Sequence, residues 1–289
     1  MPAVMAQKGR HPKRVEGFTL IELSIVLVVI GLLIGGVLAG QALIRQSQVN
    51  SAMMDAQRYI SAAGNFQQKY GSLPGDMANA TDYWGTMVTS GLSCPPAAGA
   101  TSPGGTLTCG GDGNGQVNSL TLSPVTTQND NEALLFWQHL ANAQLIQGSY
   151  TGIGGSAGTS DHVIGTNCPA SRVEGAGFGI AYVGVVNSSS TIGITNDYYY
   201  NANSGTNYGH VLVFGSYKSN NLPVSAILTA SEAQSFDNKY DDGSPSSGNV
   251  LSWVKTTGYA PSCVTGTTTY TYNTGGKGPL CSLILITGF

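Results

Sequence analysis

Apolar residues are concentrated near the start of the chain. Residues 23–44 contain no charged side chain and are dense in Leu, Ile and Val. This run exceeds the roughly 20 residues that a helix needs to cross a bilayer core. It is also longer than the apolar core of an ordinary secretory signal, and no small-residue cleavage site follows it. The pattern predicts a single membrane-spanning helix.

After Arg45 the apolar positions change to an amphipathic pattern. Apolar residues recur at spacings of three and four, as one face of a helix requires: Val49, Met53, Ala56, Ile60, Ala63, Phe66 or Gln67, and Tyr70. Gly71 and the Leu73-Pro74-Gly75 turn end the pattern. We therefore expect one continuous helix over residues 20–70, whose second half needs a partner for its apolar face.

The remaining chain has weaker and later signals. Residues 71–129 are rich in turn formers, and a helix then follows, with Asp130 as N-cap, Glu132 in its first turn and Gly148 as its end. Short apolar or β-branched runs indicate strands at 178–186, 191–195, 211–217, 225–228 and 282–287, with a capped helix at 231–240 between them. Helices first and strands later predict an α+β fold with an antiparallel sheet.

Composition and charge favour an exported protein. Only 9% of the residues are charged and 40 are glycine, which is typical of a loop-rich exported chain. The segment before Phe18 is basic, through Lys8, Arg10, Lys13 and Arg14, whereas the rest is net acidic. No basic surface is left for nucleic acid. The positive-inside rule places the N-terminus in the cytoplasm and the C-terminal bulk across the membrane.

The first residues of the apolar segment carry a recognisable motif. The stretch Gly17-Phe18-Thr19-Leu20-Ile21-Glu22-Leu23 resembles the processing site of type IV prepilins and type II secretion pseudopilins. The resemblance implies that a prepilin peptidase cuts after Gly17 and methylates the new amine of Phe18. It implies four parts: a leader (1–17), a transmembrane helix (18–44), its amphipathic continuation (45–70) and a periplasmic or extracellular pilin-like domain (71–289).

Glu22 is the one acidic residue at the start of the apolar helix, where an unpaired carboxylate raises the free energy of membrane insertion. The Phe18 ammonium of a neighbouring subunit would be its partner, which would set the stagger of a filament. Two G-x-x-x-G spacings, formed by Gly31, Gly35, Gly36 and Gly40, would let helices approach closely. Many family members carry a proline about where Ala39 stands, and this chain does not.

The five cysteines lack the C-x-x-C spacing of zinc and redox sites. In an exported domain we expect two disulfides and one odd thiol. Cys263 and Cys281 flank a turn-rich excursion, and many pilins tie their C-terminal region in this way. Proximity makes Cys94–Cys109 the second pair, which leaves Cys168 free.

Cation binding and catalysis have limited support. Asp237, Asp241 and Asp242 offer three carboxylates that could hold Ca²⁺, although capping a helix and shaping a turn is the simpler role. The loop from Asp112 begins like an EF-hand but has Val117 in place of the required glycine, which favours a turn. Ser160-Asp161-His162 contains the residue types of a triad, but adjacent side chains point in different directions.

The sequence thus predicts a non-enzymatic filament subunit that associates with itself, with prepilin peptidase and with the assembly machinery of the inner membrane. It would be a single-pass inner-membrane protein before assembly and part of a pilus or pseudopilus afterwards. A pseudopilin of a type II secretion system has the same N-terminal features. A signal-anchored envelope enzyme or sugar-binding domain is the alternative of another class.

Overall fold

The structure, a computed structural model, describes residues 17–87, 94, 97–118, 131–185, 191–195, 198–201, 205–254, 262–266 and 270–289. The basic N-terminal segment up to residue 16, most of the predicted leader, and the predicted N-cap Asp130 lie outside these ranges. The chain divides into two compact units, Met1–Arg45 and Gln46–Phe289. The helix–sheet core described below belongs to the second unit.

The first helix, α1, runs over Leu20–Tyr70, which confirms the predicted helix. In its second half one face is buried, and the buried residues recur every three or four positions: Val49, Ala52, Ala56, Tyr59, Ala62, Ala63 and Phe66. The Tyr59 ring packs edge-on against the rings of Trp137 and Phe178, with 5.2 Å between centroids in each pair. The helix ends at Tyr70, and the next residue, Gly71, has a left-handed φ of 72°, which glycine adopts without strain.

Within the ranges that the structure describes, three shorter helices follow, α2 (Ala80–Trp84), α3 (Glu132–Asn142) and α4 (Ala230–Tyr240). The sequence did not indicate α2. Helix α3 ends before the predicted Gly148, because Gln144 takes a left-handed φ of 60°. Helix α4 is held by a capping box, in which Thr229 and Glu232 each accept the other's backbone N–H.

The described residues also form eight strands: β1 (Ala176–Tyr182), β2 (Thr191–Thr195), β3 (Tyr198–Asn201), β4 (His210–Ser216), β5 (Val250–Val254), β6 (Val264–Thr265), β7 (Thr271–Tyr272) and β8 (Leu283–Ile286). Six of them form one antiparallel sheet in the order β1-β4-β8-β5-β3-β2, and β6 pairs with β7. The predicted α+β architecture with an antiparallel sheet is confirmed.

The sheet buries apolar side chains on both faces, as its alternating side chains allow. One face shares the main core with α1, α3 and α4 and contributes Phe178, Ile180, Leu212, Phe214, Leu283 and Leu285. The other face contributes Ala181, Val211, Val213, Leu251 and Ile284, which pack with Leu222 and Val224 from the connection after β4. The main core joins the second half of α1 to the sheet.

The strand predicted at 225–228 is wrong. Ser225 forms a single bridge with Ser216 at the end of β4, and Leu228 forms a single bridge with Cys281 just before β8. The two bridges go to different strands, so the segment crosses between them and does not extend along either. Strands β3, β5, β6 and β7 were not predicted from the sequence.

Candidate processing and assembly site

The residues of the predicted cleavage site lie ahead of the first helix. Gly17 and Phe18 precede Leu20, where α1 begins, and both are exposed, Phe18 to 91%. A Cβ placed on Gly17 would meet no described atom within 4 Å. The folded chain therefore gives no steric reason for glycine at this position. A reason can come from an enzyme that must fit the backbone closely at this bond.

Glu22 has a partner within its own chain. Thr19 donates to Glu22 Oε2 from both its backbone N and its Oγ1, each at 2.8 Å. In return Glu22 N donates to Thr19 Oγ1 at 3.3 Å. This is a capping box at the N-terminus of α1. Sequence reasoning missed it, although the Thr-x-x-Glu spacing before an apolar run is its usual signal.

The first half of α1 exposes nearly all of its large apolar side chains, from Leu20 to Ile44. Among the described residues, α1 is the one helix long and apolar enough to cross a membrane. Gly31, Gly35, Gly36 and Gly40 lie on it, and a Cβ on any of them would meet no described atom within 4 Å. The described contacts of the chain do not use these glycines for packing.

A match to a known protein family covers the start of this helix and the residues just before it. Residues 12–38 match the family described as the prokaryotic N-terminal methylation motif. The chain carries the prepilin-type signal of type IV pilin-like proteins. No curated protein and no solved structure matches the chain. The prepilin-type signal and the apolar helix together fit a pilin-like or pseudopilin precursor with an inner-membrane anchor and assembly into a filament.

The globular unit is cross-linked by two disulfides. The structure joins Cys94 to Cys109 and Cys263 to Cys281, the two pairs predicted from the sequence. Cys168 is free and buried, and burial raises the pKa of its thiol. A buried, protonated thiol is a poor nucleophile and serves as a small apolar side chain.

The predicted Ca²⁺ ligands come together, and their oxygens also have protein donors. One oxygen from each of Asp237, Asp241 and Asp242 lies within 4.8 Å of the others. Asp237 accepts from Tyr272 Oη at 2.7 Å and from Gly243 N at 3.2 Å, and burial raises its pKa to about 7. The other two accept N–H and O–H groups of the turn that follows. These bonds shape the end of α4, and binding of Ca²⁺ here stays a prediction.

The residues with catalytic side-chain types are used for structure. Buried His162 donates from Nδ1 to the Ser160 carbonyl at 2.8 Å, and Asp161 accepts from Tyr217 Oη and from Asn220 N. Burial lowers the pKa of His162 to about 4. These contacts hold neighbouring loops together and form no hydrogen-bonded relay from serine to histidine to aspartate.

Proposed function

We propose that this chain is a structural subunit of a type IV pilus-like filament. Prepilin peptidase removes residues 1–17, methylates Phe18 and releases a subunit that assembles through its N-terminal helix. Before assembly the subunit spans the inner membrane once, with its N-terminus in the cytoplasm. The observation that carries the proposal is the methylation motif at residues 12–38, which continues directly into an exposed apolar helix.

The exposed helix supports assembly as well as anchoring. Exposure of its large apolar side chains to water would be unfavourable, because removing apolar surface from water stabilises a protein by about 25 cal/mol per Å². A bilayer covers them before assembly, and the helices of neighbouring subunits cover them afterwards. Close helix approach would use Gly31, Gly35, Gly36 and Gly40, whose open surface a Cβ would occupy.

The pair between Phe18 and Glu22 fixes the register of this packing. Cleavage creates an ammonium at Phe18, and inside a helical core neither this cation nor the Glu22 carboxylate has water. Removing one partner of a buried pair typically costs about 3–5 kcal/mol. Within one chain the carboxylate already caps α1, so an incoming ammonium meets a carboxylate held in one orientation by Thr19.

A matched pair of substitutions separates the two roles of Glu22. Glu22→Ala removes both the cap and the intersubunit pair, whereas Thr19→Ala removes the two hydrogen bonds of the Thr19 hydroxyl and keeps the carboxylate with its bond from the backbone N–H of residue 19. Electron microscopy of sheared surface material, with membrane fractions probed for the subunit, measures assembly and insertion separately. We expect Glu22→Ala to insert but to form few or irregular filaments, and Thr19→Ala to form normal ones. Normal filaments from Glu22→Ala, or equal loss in both variants, would contradict the intersubunit pair.

The same features would serve a short pseudopilus of a type II secretion system. The leader, the motif and the helix are common to both assemblies, so the proposal rests on their shared assembly step. Imaging distinguishes them, because a pilus subunit is recovered in extended surface filaments whereas a pseudopilin stays in the cell envelope.

A further inference from the structure

A second group of carboxylates lies far from the methylation motif, in the globular unit. Asp76 follows α1, Asp112 lies just after Cys109, and Glu132 is in the first turn of α3. One oxygen from each of the three lies within 4.8 Å of the others. Asp76 and Glu132 are buried, while Asp112 is exposed and opens the group to solvent.

Asp76 has an oxygen that nothing in the described protein satisfies. Only 2% of Asp76 is exposed, and its Oδ1 has no hydrogen-bond partner. The other oxygen, Oδ2, accepts from Gly115 N at 3.1 Å. The Asp76 carboxyl lies against that of Asp112, and burial followed by this contact raises the Asp76 pKa. A buried carboxylate oxygen without a donor is costly and indicates a missing positive partner.

The carboxylates of Glu132 and Asp112 also accept hydrogen bonds from the protein. Glu132 accepts Asp112 N and Asn118 N, one on each oxygen and each at 2.9 Å. Both oxygens of Asp112 accept from Asn114, at 3.0 and 2.8 Å. Burial raises the pKa of Glu132 to about 8, and its two backbone N–H donors oppose this shift because they favour the charged form. Each bonded oxygen keeps a lone pair for a second partner.

We propose that Asp76, Asp112 and Glu132 bind a divalent cation that prefers oxygen ligands, with Ca²⁺ the best fit. Ligand oxygens at about 2.3–2.6 Å from Ca²⁺ are at most about 5.2 Å apart across the ion. The observed separations are within this limit. The free oxygen of Asp76 supplies the inner ligand, and exposed Asp112 gives the ion a route from water.

An ion here would join three distant segments. It would fasten the turn after α1 to the loop that follows the first disulfide and to the start of α3. Two backbone bonds already bring the first two together, Gly111 N to Met77 O and Gly113 N to Asp76 O. When all three carboxyls are ionised their charges repel one another, and a divalent cation leaves a net single negative charge. The Asp237 group differs, because no described oxygen in it is buried without a donor.

Binding is tested on the full-length protein in detergent, stripped with chelator and dialysed to equilibrium against radioactive Ca²⁺ with Mg²⁺ present. Because ligand charge tunes Ca²⁺ affinity, we expect Asp112→Asn and Asp76→Asn each to weaken binding by about tenfold or more. Asp82→Asn, which changes an exposed aspartate of α2, is the matched control and should bind normally. Asp241→Asn reports on the other carboxylate group and should leave this binding in place.

Circular dichroism checks that each variant is folded. If Asp76→Asn does not fold, exposed Asp112→Asn decides the question. The proposal would be overturned if the wild type bound no Ca²⁺, and a proton shared between these carboxyls would then be the explanation for their close approach. Ca²⁺ binding to Asp241→Asn that is unchanged when Asp112→Asn is added would overturn it as well, and so would binding that disappears in Asp241→Asn alone.

Discussion

His139 makes the stability of the globular unit depend on pH. The side chain is buried in α3, where Nδ1 accepts the Gly75 N–H at 2.9 Å. The proton is therefore on Nε2, which donates to the Cys109 carbonyl at 3.0 Å. The ring also lies near those of Phe66 and Trp84, with centroids 6.3 and 5.5 Å away. A second proton on this ring would displace the Gly75 bond and bring a charge into the core.

Burial lowers the pKa of His139 from 6.5 to about 4. Between these two values the unfolded chain binds more protons than the folded one, so stability rises with pH and is lost as pH falls. At about 1.36 kcal/mol per pH unit, acidification from about pH 7.5 to about pH 5.5 costs about 1.4 kcal/mol through this one residue. His162 contributes in the same direction, since burial lowers its pKa to about 4 as well.

The assay is urea unfolding of the fragment Gln46–Phe289, followed by tryptophan fluorescence in chelator at the two pH values. His139→Asn keeps an acceptor near Gly75 and cannot titrate. It should lose about 1–3 kcal/mol at the higher pH, from its missing hydrogen bond. Its further loss on acidification should be about 1.4 kcal/mol smaller than that of the wild type. Equal losses in both proteins would refute the buried neutral histidine.

Three further results are expected. Mass spectrometry of Gly17→Ala should find the leader still attached, although the new Cβ would meet no described atom of the folded chain. Efficient cleavage of this variant would show that the peptidase does not require glycine at this position. Gly75→Ala should lower the free energy of unfolding by more than about 1–2 kcal/mol, the usual cost of a non-glycine residue with a left-handed φ, because its Cβ would also clash with the Glu132 carbonyl. Gly71→Ala is the control, since its φ is also left-handed but its Cβ would meet no described atom, and equal losses in the two variants would refute the close approach. Non-reducing peptide mapping should leave Cys168 unpaired and unalkylated until the protein unfolds, and any disulfide to Cys168 would contradict the structure.

Features encoded by neighbouring residues could be predicted from the sequence. Helix α1 follows from a continuous pattern, and each disulfide closes a short loop, with separations of 15 and 18 residues. The motif around Gly17 is contiguous and was visible directly. Helix α4 has its capping box within four residues.

Features that depend on distant pairing could not be predicted in this way. The segment at 225–228 has the apolar character of a strand but contacts two strands in turn, which only the folded topology shows. Asp76 and Glu132 are separated by a disulfide loop and become neighbours through packing of Gly75 against α3. The sequence instead indicated Asp237, Asp241 and Asp242 as candidate Ca²⁺ ligands, because these three residues are close along the chain.

The central claim is that the chain is processed as a prepilin at the motif of residues 12–38. Mass spectrometry of the N-terminal peptide from protein in its native membrane tests it most directly. The account predicts a mature chain that begins at Phe18 and carries an N-methyl group on its amine. A chain that keeps the leader, or begins at any other residue, would contradict it.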